Sequence, residues 1–306
     1  MTTNNDTYEK VKKLLRQRAG ISVTNVCNLT CGACYAQVGK FPKEKYWFIS
    51  VDEFEEKIEY LVNYMYAGTT TLKNGEVVQV NPNNYELAIM GGEPTVHPEF
   101  EKLWGVLKQK KYHDVKFWIF TNGRQELPPV PNIFCRVNYK TKTVGFPFTP
   151  QLVAPIDIFP DKDHSYFWQI AQTDCPNWWD TQCNNPIYKN KISFCCAATG
   201  WMDLLDIDLG WDLPLNKNPF SCLTDADIDA KANSICYRCG WSKYMSLPEE
   251  QRSEKYDLVS ESNLEVLLQN EKSKPYKFVW LDNGIVRLSD LKYSHSDPNK
   301  FLLSLL

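Results

Sequence analysis

Residues 19–35 read "AGISVTNVCNLTCGACY". The first part, through Ile21, Val23 and Thr24, is rich in residues that favour extended backbone, so it predicts a strand that stops at Cys27. The second part sets Cys27, Cys31 and Cys34 in the spacing Cys-x3-Cys-x2-Cys. Structural zinc and cubane iron–sulfur clusters each take four ligands, and this loop offers three. Either a fourth protein ligand comes from elsewhere, or the fourth position is open for chemistry.

The segments that follow repeat the strand-then-polar-end pattern. "SVDEFEEKIEYLVNYMY" (50–66) predicts a helix capped by Ser50 or Asp52, with Phe54, Ile58, Leu61 and Tyr64 or Met65 at helical spacing. "NYELAIMGGEP" (84–94) is an apolar strand ended by two glycines, and "HPEFEKLWGVLKQKKY" (97–112) reads as a helix. "VKFWIFTNG" (115–123), "NIFCRVNYK" (132–140) and the short "PIDIFP" (155–160) read as further strands. Strands alternating with helices predict an α/β fold with a parallel sheet or barrel. In such folds ligands bind beyond the carboxyl ends of the strands, where Cys27, Gly91, Thr121 and Asn138 all fall. Two glycines let the backbone approach a ligand closely. Glu93 can accept from an ammonium group, while Thr121 and Asn122 offer a hydroxyl and an amide.

Beyond about residue 161 the texture changes, and "DCPNWWDTQCNNPIYKNKISFCCAATGWMDLLDIDLGW" (174–211) shows little helical periodicity. "LTDADIDAKANSI" (223–235) predicts a short capped helix leading into "CYRCGW" (236–241), and Asn283-Gly284 is the strongest hairpin signal in the chain. Three regions are expected: 1–160, a Cys-rich 161–245, and a C-terminal 246–306.

The chain has 34 basic and 37 acidic residues among 306, a net charge of −3 that gives no electrostatic case for nucleic acid or an anionic membrane. The start "MTTNNDTYEKVKKLLRQR" has no apolar region of a signal peptide, and no stretch approaches the roughly 18 apolar residues of a membrane span. The expectation is a cytoplasmic protein. Eleven cysteines in a reducing compartment read as metal ligands or redox groups rather than disulfides.

A second cysteine group stands at 183, 195, 196, 236 and 239. Cys236 and Cys239 form a Cys-x2-Cys pair suited to one metal, and Cys183 with either Cys195 or Cys196 completes four. A zinc ribbon and an iron–sulfur cluster are both open on spacing. Cys135, in an apolar strand, reads as a buried small hydrophobe, and Cys175, Cys195 and Cys222 as packing residues, one of which could instead donate a hydrogen atom. Asp203, Asp206 and Asp208 read as turn or capping residues, with a hydroxyl-binding or base role as the alternative. His97 and His164 are assigned no role.

The three cysteines, "GGEP" at 91–94 and "TNG" at 121–123, in this order, resemble the radical S-adenosylmethionine (radical SAM) superfamily over about residues 18–160. The resemblance implies a partial (β/α)6 barrel in which Cys27, Cys31 and Cys34 hold a [4Fe–4S] cluster whose open iron is chelated by S-adenosylmethionine. It implies that Gly91, Gly92 and Glu93 hold the SAM amino group, and that Thr121, Asn122 and Asn138 lie near its ribose or carboxylate. Family members carry an aromatic residue just before the third cysteine; here Ala33 stands there, and Tyr35 is the adenine contact the resemblance offers. Reductive cleavage of SAM to a 5′-deoxyadenosyl radical, fed by a low-potential donor such as flavodoxin or ferredoxin, is the implied chemistry.

The layout around residues 183–239 resembles the twitch domain, a shortened relative of the SPASM domain, which holds an auxiliary [4Fe–4S] cluster. Residues 189–241 also resemble uncharacterised radical SAM proteins of sugar and polysaccharide pathways, an alignment that favours Cys196 over Cys195 as ligand beside Cys183, Cys236 and Cys239. The implied substrate is a small polar molecule such as a sugar, aminocyclitol or nucleotide-linked glycan, dehydrogenated or epimerised. Maturation of a ribosomal peptide is a second enzyme reading, and a non-catalytic zinc-stabilised binding module is the reading of another class.

Overall fold

Gln17 ends one helix and Arg18 begins the strand around which the sheet is built. A computed structural model describes residues 7–29, 34, 36, 38, 43–82, 86–137, 154–175, 178, 184–240, 256–260, 262–263, 278–280 and 285–289. Cys31, Tyr35, Asn138 and Cys183 lie outside these residues, as do Asn283 and Gly284.

Helix α1 (Glu9–Arg16) buries Val11, Leu14 and Leu15, spaced to share one face, and leads directly into β1 (Arg18–Ser22). After the cysteine loop, α2 (Val51–Leu61) starts at Ser50, whose hydroxyl accepts the Glu53 N–H while the Glu53 carboxylate accepts the Ser50 N–H. This reciprocal cap fixes where the helix begins. Phe54, Ile58 and Leu61 form its buried face, and a π turn (Val62–Tyr66) ends it. Strands β2 (Thr69–Thr71) and β3 (Val77–Gln79) make a separate hairpin. Then come β4 (Leu87–Met90), α3 (Phe100–Leu107), β5 (Phe117–Thr121) and β6 (Ile133–Val137).

β4 is buried at all four positions, as a central parallel strand covered on both faces must be. In β5, Phe117, Ile119 and Thr121 are buried and Trp118 and Phe120 half-buried, so its two faces meet different surroundings. α4 (Pro155–Ile158) and α5 (His164–Asp174) precede β7 (Asn184–Tyr188) and β8 (Lys191–Ser193). α6 (Ala198–Leu205), β9 (Gly210–Asp212) and α7 (Asp225–Asn233) follow. β10 (Tyr256–Ser260), β11 (Phe278–Trp280) and β12 (Ile285–Ser289) form a small antiparallel sheet in the order β10-β12-β11.

The main sheet runs β6-β5-β4-β1-β7-β8-β9. β1, β4, β5, β6 and β7 are mutually parallel, with Ile21 opposite both Ile89 and Ile187, whereas β8 and β9 extend the sheet antiparallel. The architecture is therefore α/β with a mostly parallel central sheet. The sheet crosses residue 160: the segment 184–212 is hydrogen-bonded onto β1. Asp225, at the start of α7, accepts the backbone N–H of Lys10 (2.9 Å) and Val11 (3.1 Å), tying α7 to the first turn of α1. Among the described residues no helix is long and apolar enough to cross a membrane.

Three expectations change. "PIDI" is a helical turn, not a strand; Pro155 sits at its first position, where a fixed φ and a missing N–H suit a helix start. The stretch read as lacking helical periodicity contains α6. Cys135 is exposed; among the described residues β6 has a strand, β5, on one side only.

Candidate functional site

The chain leaving β1 stays alongside the chain leaving β4. Val23 N–H donates to Met90 O (2.9 Å), Gly92 N–H to Thr24 O (2.7 Å) and Glu93 N–H to Val26 O (2.8 Å). The approach is too close for side chains. A Cβ on Gly92 would lie 1.9 Å from the Val26 carbonyl oxygen, and one on Gly91, whose φ is +132°, 2.3 Å from that of Thr24. The glycine pair thus brings the end of β4 against the residues that lead into Cys27.

Glu93 is buried and its carboxylate is an organising centre. Oε1 accepts from Thr95 N–H (3.2 Å), the Thr95 hydroxyl (2.8 Å) and the Thr121 hydroxyl (2.8 Å), and Oε2 accepts the Asn122 N–H (2.6 Å). Asn122 continues the chain of contacts: its Nδ2 lies 2.7 Å from Asn28 Oδ1 and 3.9 Å from Cys27 Sγ. The Leu29 N–H also points at that sulfur, at 3.4 Å. The ends of β1, β4 and β5 therefore meet at Cys27, Glu93, Thr121 and Asn122, with Gly91 and Gly92 between them. Cys34 is buried in the main core.

A polar clamp that sequence reading missed supports this edge. Asn25 is buried; its side chain donates to Lys45 O and to Asp203 Oδ2, both at 2.9 Å, and accepts the Trp47 N–H at 2.8 Å. Asp203 is no exposed turn residue: its side chain is 8% exposed, and it also accepts from Tyr188 and from Lys189 Nζ (2.8 Å). Burial, with the Asp203 charge added, pushes the Tyr188 phenol well up, so it stays a neutral donor. Asp206 takes the left-handed conformation that closes α6, a capping role that the sequence reading allowed, whereas Asp208 pairs with Lys191, a role it did not name. His97 is buried, with Nε2 2.8 Å from Ile49 O and Nδ1 accepting the Glu99 N–H (3.0 Å).

The second cysteine group is arranged differently from its spacing. Cys175, Cys195, Cys236 and Cys239 line one pocket, with Trp168, Trp178, Phe194 and Trp201 as apolar walls. The cavity is small, about 30 Å³. Cys175 follows Trp168 and Ala171 on the inner face of α5; Cys236 and Cys239 follow α7, and Cys195 follows β8. Cys196 does not line this pocket. It packs against Met90 and Phe120, the residues after the paired Ile89 and Ile119, on one face of the main sheet. Burial pushes the Cys195 and Cys236 thiols well up, and the neighbouring thiols add to it by like-charge repulsion. Lys13 Nζ sits 5.0 Å from the centre of the Trp178 ring; burial lowers its pKa, against which Cys175 acts. The spacing of Trp168, Ala171 and Cys175 was the available sign that Cys175 faces inward. Among the described residues no three Cys, His, Asp or Glu side chains already stand grouped as a metal site.

No family model matches the chain, and no curated protein matches it either.

Proposed function

We propose that this chain is a radical SAM enzyme. The observation that carries the reading is the hydrogen-bonded line from Glu93 through Asn122 to Cys27, formed where three parallel strands end. A thiol whose sulfur already faces a backbone N–H and a side-chain amide suits an iron–sulfur cluster, since hydrogen bonds to sulfur tune such centres. Cys27, Cys31 and Cys34 would hold the cluster, leaving one iron for S-adenosylmethionine. When bound, cluster and SAM supply a 5′-deoxyadenosyl radical that removes one hydrogen atom from substrate.

The chain's own residues have defined tasks in this reading. Gly91 and Gly92 set the β4 end against residues 24–26 and so fix where Cys27 begins its loop. Four protein donors occupy Glu93, three of them on Oε1, so Oε2 keeps acceptor capacity for an ammonium group. Thr121 orients that carboxylate, and Asn122 couples it to the cysteine loop. Met90, Phe120 and Cys196 give an apolar floor that excludes water from a reactive centre.

The finer architecture in this reading is a partial (β/α)6 barrel whose parallel sheet continues past residue 160 into β7, with a twitch-like auxiliary region in the Cys-rich part up to about 245 and a C-terminal extension. The substrate class is a small polar molecule, a sugar, aminocyclitol or nucleotide-linked glycan, oxidised or epimerised. The electron donor is a flavodoxin or ferredoxin, and the compartment the cytoplasm. The test is anaerobic reconstitution followed by dithionite and SAM. Release of 5′-deoxyadenosine, abolished by Cys34→Ala, is expected; colourless protein containing zinc and no iron refutes the proposal.

A further inference from the structure

We infer that Asp203 is a positioning residue for Cys27: its carboxylate, carried on α6, holds the Asn25 amide, and Asn25 fixes the backbone from which the cysteine loop departs. The inference rests on the reading above for what Cys27 does once it is in place. Asn25 and Asp203 stand 178 residues apart in sequence and meet at 2.9 Å. Both are withdrawn from solvent, Asn25 at 3% exposure and the Asp203 side chain at 8%. The two Asn25 amide hydrogens go to Asp203 Oδ2 and Lys45 O, and its oxygen accepts the Trp47 N–H. That set admits one orientation of the amide. Turned over, it would set its oxygen against a carboxylate and a carbonyl, and its NH2 against an N–H.

Strand β1 lies between β4 and β7, and the residues beyond its end keep a tie to each neighbour. Towards β4 the ties are backbone: Thr24 O and Val26 O accept from Gly92 and Glu93. Towards β7 the tie is made by side chains, from Asn25 to Asp203 and from Asp203 to Tyr188, the last residue of β7. Two buried carboxylates thus flank the base of the loop, Glu93 on one side and Asp203 on the other. Asp203 is itself held: Lys189 Nζ donates to its carboxylate (2.8 Å) and Lys45 Nζ to its carbonyl (3.1 Å). Lys189 reaches it from a left-handed backbone, φ +52°, a conformation side chains rarely adopt. Bonds to an ionised acceptor are roughly twice as strong as neutral ones, so Asp203 grips Asn25 more firmly than a neutral side chain would.

The test follows backbone hydrogen exchange by mass spectrometry in the full chain as purified. Asn25→Asp sets two carboxylates face to face. Exchange at 26–29 and 92–93 is expected to quicken by about 10-fold, with α3 exchanging as in wild type. In the double variant N25D/D203N the amide and the carboxylate change places, their hydrogen bond returns, and about half of that effect or more is expected to be reversed. No quickening in N25D, equal quickening in α3, or no reversal in the double variant overturns the inference. Should N25D not fold, Asp203→Asn decides, since it keeps the shape and an acceptor but not the charge. Exchange at 26–29 is then expected to be about 3-fold faster, and exchange equal to wild type overturns the inference. A second readout separates positioning from support of the fold. After anaerobic loading with ferrous iron and sulfide and reduction by dithionite, the electron paramagnetic resonance spectrum of N25D is expected to differ from that of wild type. The spectrum of the double variant is expected to return towards wild type, and one spectrum shared by all three overturns the inference. Wild type that takes up no iron, while exchange at 26–29 responds as expected, would refute the radical SAM reading and leave Asp203 in its positioning role.

Discussion

Replacing Gly92 with alanine tests whether the glycine pair is what holds Cys27 in place. The new Cβ falls 1.9 Å from the Val26 carbonyl oxygen and 2.5 Å from its carbon. Ordinary contact lies at roughly 3.5 Å, so the two backbones must part by roughly 1.5 Å. Parting them breaks the bonds from Gly92 N–H to Thr24 O (2.7 Å) and from Glu93 N–H to Val26 O (2.8 Å). Each is worth about 0.5–1.5 kcal/mol net, and overpacking adds about 1–3 kcal/mol. Together these come to about 2–6 kcal/mol, a large part of a typical stability of about 5–15 kcal/mol. The expected result is a melting temperature lower by on the order of 10 °C and, on the function proposed above, loss of iron from the Cys27 loop. Thermal unfolding followed by circular dichroism and an iron assay on the same sample check both. A G92A protein that melts within about 1 °C of wild type, with full iron, would refute the reasoning.

Gly105 lies within α3 with open space at its Cβ position, so Gly105→Ala is expected to stabilise by about 0.5–1 kcal/mol in urea unfolding. Glu93→Gln turns an amide NH2 toward a donor that the carboxylate now accepts; a loss of about 1–3 kcal/mol in the bound state should slow 5′-deoxyadenosine release by about 5- to 150-fold. Tyr188→Phe removes a hydrogen bond to the Asp203 carboxylate, at a cost of about 1.5 kcal/mol read by urea unfolding. An unchanged urea midpoint would count against the clamp. His97 is held neutral, and burial lowers its pKa below the usual 6.5. The unfolded chain therefore binds the proton first, so the ring's contribution is complete above pH 6.5 and declines as pH falls below it. Between pH 7.5 and pH 5.5, wild type should lose more stability than His97→Gln in urea titrations; equal losses would exclude His97 as the cause.

The strand ends were legible in the sequence because each is marked by an abrupt change from apolar residues to glycine, hydroxyl or amide groups. Ser50 and Thr224 announced their helices in the same way, through a capping residue followed three positions on by an acid. "PIDI" was not legible, since a four-residue apolar run carries no usable period, and only Pro155 favoured the helix. The exposure of Cys135 goes with the place of β6 in the sheet, where among the described residues it pairs with β5 alone, and local sequence does not carry sheet order. Spacing set Cys236 near Cys239, and both line one pocket, but it could not say that Cys175 and Cys195 line it too. Which of two adjacent cysteines faces the pocket depends on how β8 meets α6. Cys175 belongs with them only once α5 is packed on α7.

Helix α6 explains why the two cysteine regions are parts of one arrangement. Its eight residues span about 12 Å. At its start, Ala197, Ala198 and Trp201 line the four-thiol pocket. Along its length, Gly200 meets the backbone of Ala36, two residues beyond Cys34, so closely that a Cβ would lie 2.1 Å from the Ala36 oxygen. Near its end, Asp203 binds Asn25, two residues before Cys27. The helix thus touches the pocket at one end and both flanks of the first cysteine motif along the rest. Its partners across those contacts are backbone at Ala36 and buried, hydrogen-bonded side chains at Asn25 and Tyr188, none of which can yield without breaking a hydrogen bond or a close contact. Helix α6 therefore packs between the pocket and the residues that flank Cys27 and Cys34. The strict requirement for glycine at position 200 follows from the same geometry.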